Sequence, residues 1–149
     1  MATIKMKTSD DYLAKLAVLE SNADEVIKKA IHDGAGVVAD GIKTKIPTIP
    51  DVHRYILNDL EKSFGITPIS KDREGDWNAK IGFDGYGSHP TKKYPKGLPN
   101  QMMARAIESG TSFRKKHPFV RTTVTRMRKP CLEAMKNRID IETEKVMEK

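Results

Sequence analysis

The chain has 149 residues, 38% of them hydrophobic and 32% charged, with a net charge of +7. That length bounds one domain, 1–149, with a modest core, and the polar balance points to a large exposed surface or to burial by partners. The single cysteine, Cys131, excludes an internal disulfide and a cysteine-based zinc cluster, no apolar run reaches the length of a membrane span and the N-terminus lacks a signal-peptide core, so the expectation is a soluble chain made in a reducing cytosol.

Residues 1–8 carry little pattern and read as a flexible tail. Ser9 is placed to cap a helix to about Glu20, with Leu13, Leu16 and Ala17 on one side. Asn22, with Glu25 three residues on, has the form of a capping box. The long helix it would start carries apolar or small residues at 26, 27, 30, 31, 34, 37, 38, 41 and 42 and ends near Lys45, before Pro47. Gly34 and Gly41 lie on that stripe, where each costs about 1 kcal/mol against alanine. They point to close approach of another backbone, with a flexible hinge as the alternative.

Residues 46–50 read as an extended connector. Asp51 is expected to cap a short helix through about Ser63, with Val52, Ile56, Leu57 and Leu60 inward. Residues 64–69 read as a strand and 70–75 as a polar turn. Trp77, Ala79, Ile81 and Phe83 alternate with polar or small residues, the period of a half-buried strand, so the two strands form an antiparallel hairpin. Trp77 is read as a core anchor rather than a stacking residue for a ligand.

Residues 84–99 form a long mobile loop rich in Gly and Pro, in which Tyr86 and Tyr94 stand among Lys92, Lys93 and Lys96. Such a loop can stack on bases while its lysines meet phosphates, or contact a neighbouring subunit. A short helix over 98–109 closes at Gly110. Thr111 and Ser112, the basic run Arg114, Lys115 and Lys116, and His117-Pro118-Phe119 follow. Pro130 is expected to break or kink any helix continuing from 122–129. The C-terminal helix is therefore expected over 131–148, with Leu132, Met135, Ile139 and Val146 inward.

Charge is unevenly placed. Residues 1–90 hold 12 Lys/Arg against 14 Asp/Glu, whereas 91–149 hold 15 against 6; between 91 and 130, Glu108 is the one acid among 11 bases. The asymmetry implies a cationic face whose partner is nucleic acid or an acidic protein surface. No Gly-rich phosphate loop, metal-ligand spacing or nucleophile elbow is present, and the four histidines are scattered, so no enzyme is expected and no catalytic, cofactor or metal residue is assigned. Asp72, Glu74 and Asp76 read as a solvated turn, Cys131 as a packed thiol, and Glu108 as an ion-pair partner of Arg105 or Arg121.

The segment 99–124 resembles the signature of small tail-completion proteins, the head–tail joining or minor tail component family of bacteriophages with long non-contractile tails. The matching residues are Glu108, Gly110, Thr111, Ser112, Pro118, Phe119 and Arg121. The layout of 22–145 is similar as well. The chain departs from the family where Pro50-Asp51-Val52 and Thr122-Thr123 stand. The resemblance implies an α+β fold, a long helix on a small antiparallel sheet closed by a C-terminal helix. It implies no enzyme and no cofactor, but a structural protein of the virion tail or neck, assembled in the host cytoplasm as a ring of copies of itself (a hexamer). Its implied partners are the tail tube protein and the head connector or stopper, with no membrane. Lysine contacts with DNA in the channel are compatible with that role. The assembly candidates are then Tyr86, Lys92, Lys93, Tyr94, Lys96, Arg114, Lys115 and Lys116; a basic nucleic-acid-binding module is the alternative.

Overall fold

The computed structural model describes residues 10–149, so Ser9 and the tail lie outside the described residues. The class is α+β. Its frame is an antiparallel helix pair, α2 (Ala23–Lys45) and α5 (Val120–Met147), preceded by α1 (Asp10–Ser21). Asn22 has φ −99° and makes no side-chain cap, so the expected capping box does not form; instead Asn22 donates to the Val18 carbonyl while its own carbonyl accepts from Val26. The two helices run on from one another with a break at one residue. Glu25 pairs with Lys28 within its own turn. Lys15 ties α1 to the Met147 carbonyl at 2.9 Å, and α1 buries no residue fully.

The glycines explain how closely α2 and α5 meet. A Cβ on Gly34 would lie 2.6 Å from Met135 Cγ and 3.0 Å from Cys131 Sγ. One on Gly41 would lie 3.0 Å from Met127 Cγ and from the Thr123 methyl. What approaches is therefore a set of side chains of α5 rather than a backbone. Thr123, Met127, Cys131 and Met135 recur every fourth residue, one stripe of a helix, and the glycines are their sockets. This register turns Leu132 and Ile139 outward, 60% and 42% exposed, against the expectation that they lie inside. Thr123 and Glu142 are buried in their place.

α5 runs unbroken through Pro130, which is also contrary to expectation. Pro130 is exposed and costs one backbone hydrogen bond and about 3 kcal/mol in a helix interior. Packing of Thr123, Met127, Cys131 and Met135 against α2 on either side of it carries the helix across.

The core lies at the other end of the pair. Ile42, Ile46, Ile49, Ile56, Leu57, Leu60, Ala104, Ile107 and Phe119 form one cluster, with Phe64, Ile81 and Phe83 packed against it. Residues 46–48 are not extended but form a 3₁₀ turn, Ile46–Thr48, which drives Ile46 to full burial. Asp51 has φ 58° and does not cap; α3 (Arg54–Ser63) starts after His53 and buries Ile56, Leu57 and Leu60 as expected.

The hairpin is one ribbon in two ladders. β1 (Phe64–Ile66) pairs with β4 (Ile81–Phe83), and β2 (Ser70–Lys71) with β3 (Trp77–Asn78). Between the ladders three residues, 67–69, face two, 79–80, so the ribbon carries a bulge at Pro68, which has no N–H to give. Trp77 is not in the core. Its indole N–H donates to Asp24 at 3.1 Å and Lys28 and Lys71 lie over its ring, so it clips the hairpin tip to the start of α2. Asp72 turns the tip by accepting from the Glu74 and Asp76 amides.

Candidate functional site: the joint between α4 and α5

The residues of the family-like signature build one joint. α4 (Asn100–Ser109) presents Ala104 and Ile107 to the core and stops at Gly110, whose φ is 77° and ψ 169°. That combination belongs to glycine alone, and a Cβ there would also lie 2.9 Å from the Lys116 amide nitrogen. Thr111 and Arg114 then exchange backbone hydrogen bonds of 2.9 and 3.3 Å, and Thr111 Oγ1 accepts from the Phe113 amide. The result is a tight turn with Ser112 and Phe113 at its apex. The His117 amide donates to the Ile107 carbonyl at 2.8 Å and closes the base.

Glu108 locks the joint. Its carboxylate accepts from the amides of Phe119 (2.8 Å), Val120 (2.9 Å) and Arg121 (2.9 Å). These are orphan donors at the start of α5, where the helix dipole is positive. A side chain of one helix thus caps the next. The expected ion pair with Arg105 or Arg121 does not form; Arg121 contributes its backbone, not its guanidinium. Phe119, 5% exposed, drops into the core with its ring 6.1 Å from that of Phe83. Two buried polar atoms, His117 Nε2 and Thr123 Oγ1, have no protein partner.

The turn so held points its apex outward. Phe113 is 99% exposed, a complete aromatic side chain without a neighbour to cover it. Arg114 reaches the Asp51 carbonyl at 3.4 Å, while Lys115 and Lys116 are exposed. Phe113 does not figure among the residues expected from the sequence. The signal that could have found it is its setting, an aromatic beside a basic run and bracketed by Gly110 and Pro118.

The other candidates lie elsewhere. Tyr86 bridges to Pro99, the Gly87 amide donates to the Leu98 carbonyl, and Asn100 binds both the Gly85 and Asp84 carbonyls, so the 84–99 loop is closed at its base. Ser88 donates to Asp59, the His89 ring lies tilted against that of Tyr55 with centroids 3.9 Å apart, and Thr91 and Tyr94 exchange backbone hydrogen bonds. Tyr94 is half-buried, with its hydroxyl toward Met102 at the first turn of α4. Lys92, Lys93 and Lys96 are exposed, and Lys93 leans over the Tyr94 ring. The loop is anchored at the first turn of α4 and the 111–116 turn leaves its last, so the two clusters are tied to opposite ends of a helix about 15 Å long.

Charge at the joint is uncompensated. Among the described residues, every ion-paired lysine or arginine lies outside 91–130. The one acid of that segment, Glu108, is occupied by amides. Pairing is concentrated instead along the α2–α5 pair, where Glu142 receives Lys29 and Lys145 at 3.1 Å each and Arg138 bonds Asp33 at 2.6 Å. Hydrogen bonds from Lys29 and Lys145 pull the Glu142 carboxyl down to about 2. No group of three or more His, Cys, Asp or Glu among the described residues is placed to hold a metal, and no described helix is long and apolar enough to cross a membrane. Compared with protein-family models, curated proteins and solved structures, the chain matches none of them.

Proposed function

We propose that the chain is a structural component of a bacteriophage tail or neck that completes the tail and joins it to the head connector, acting by assembly as a ring without turnover. The observation that carries this reading is the turn 111–114. Glu108, Gly110 and Phe119 hold it by hydrogen bonds, a glycine-only backbone and core packing, and it exposes Phe113 completely. A fully exposed aromatic on a hydrogen-bonded turn suits a surface that a partner covers. The signature residues then act together in holding that turn, since Glu108 caps, Gly110 turns and Phe119 pins. In this reading the tail tube protein, the head connector or stopper, and neighbouring copies of the chain are the partners, and the virion is the destination.

Electron microscopy of lysates from a phage lacking this gene tests it. Full heads separate from tails are expected; normally joined virions would refute the reading. The uncompensated cations between 91 and 130 favour a second reading, a basic nucleic-acid-binding module. A chain that stays monomeric with tails and binds random DNA in its place would select that reading.

A further inference from the structure

We propose that the turn Thr111–Lys116 and the outer face of the first half of α5 form one seat for a nucleic-acid strand, with Phe113 as the side chain that stacks on a base. Charge points there first. Arg121, Arg128 and Lys129 are all exposed and fall at i, i+7 and i+8, one side of the helix, and Thr125 sits between them at i+4. No acid occurs from 109 to 132, so this face has nothing to neutralise it from within its own segment. Arg114, Lys115 and Lys116 extend the positive surface to the turn that leads into α5.

Of the partners that could cover this surface, a nucleic acid, which the channel of the proposed ring would also hold, fits better than a protein. The centres of protein interfaces are depleted in charge, whereas six cations with no acid between them match the continuous negative line of a phosphodiester backbone. The aromatic points the same way. Phe113 stands beside three consecutive cations with its ring free on all sides, the arrangement in which a base stacks while its phosphates are neutralised. An open cleft of about 460 Å³ runs along the turn between Thr111, Phe113, Arg114, Lys115, His117 and Asp51. Asp51 offers its backbone carbonyl to Arg114, which holds the guanidinium at the cleft wall. The seat does not depend on the neck reading, since it is a property of the purified chain.

Fluorescence anisotropy of the purified chain with labelled random-sequence DNA, single-stranded and duplex, between about 50 and 200 mM salt tests it. Six cations, Arg114, Lys115, Lys116, Arg121, Arg128 and Lys129, set the expected slope of log K against log salt at about −5 for duplex and about −4 for a single strand. The double variant R128A/K129A should reduce the duplex slope by about 2. Phe113→Ala should weaken single-strand binding by about 5- to 150-fold and leave the slope unchanged. Phe113→Trp should keep the affinity and show quenching on DNA beyond that of wild type, which has one tryptophan, Trp77. All these side chains except the half-buried Arg114 are exposed, and circular dichroism of each variant confirms that it is folded. Slopes unmoved by R128A/K129A, an unchanged affinity in Phe113→Ala, or equally tight binding of polyglutamate, the mark of an acidic-protein surface, would each overturn the proposal.

Discussion

Glu108→Ala removes the acceptor shared by three amides at the start of α5. Phe119 is buried and Val120 half-buried, so water replaces the carboxylate poorly at both, and each orphaned N–H costs about 1–3 kcal/mol. The Arg121 amide lies on an exposed residue and recovers a water. Loss of a negative charge at the positive end of the helix adds about 0.3–1 kcal/mol. The expected loss is about 3 kcal/mol, or roughly 6–12 °C in melting temperature for a chain of this size. Glu108→Gln keeps one acceptor oxygen but turns an amide group toward a backbone N–H, so it should lose about 1–2 kcal/mol. Arg121→Ala, which leaves the backbone N–H in place, should change stability by no more than about 0.5 kcal/mol. Urea unfolding followed by far-UV circular dichroism measures all three. A Glu108→Ala loss below about 1 kcal/mol, or an Arg121→Ala loss equal to it, would refute the cap and restore the ion pair.

Three further outcomes follow from the packing and the charges. Phe119→Ala deletes a buried ring in contact with Phe83 and should cost about 3–5 kcal/mol, so an unchanged thermal melt would remove Phe119 from the core. Pro130→Ala restores an N–H to an exposed helical position. It should gain about 2 kcal/mol, the helix-interior cost of proline less its restriction of the unfolded chain, and a loss would mean that α5 needs the proline's bend to fit α2. Glu142 has its folded pKa lowered to about 2, so its stabilising contribution is present above the ordinary carboxylate value of 4.5 and is lost as pH falls through about 2. Glu142→Gln should flatten that part of the acid-unfolding curve, and superimposable acid limbs for the two proteins would contradict the assignment.

Periodicity and punctuation were enough for the elements whose signals are local. The stripe from Val26 to Ile42 places α2, Leu57 and Leu60 place the buried face of α3, alternation from Trp77 to Phe83 places the second half of the hairpin, and Gly110 ends α4. Each of these follows from backbone conformation or from one residue's preference for an apolar face. The α+β class and the special standing of the segment around Gly110 and Phe119 were legible for the same reason.

The tertiary structure decided whatever depends on a partner distant in the chain. Leu132 and Ile139 face outward because the sockets at Gly34 and Gly41 choose Thr123, Met127, Cys131 and Met135 as the inner stripe. Pro130 is carried inside α5 because the packing of α5 on α2 offsets a local cost. Trp77 lies outside the core because its indole N–H finds its partner in Asp24 at the start of α2, with Lys28 and Lys71 over its ring. Glu108 became a cap rather than an ion-pair partner because α4 ends where its carboxylate reaches three amides 11–13 residues away. Phe113 is exposed because it sits at the apex of the turn that this cap, Gly110 and Phe119 hold. Apolar periodicity states how much surface a segment must bury; only the assembled fold states against what, and so which side chains are left over for a partner.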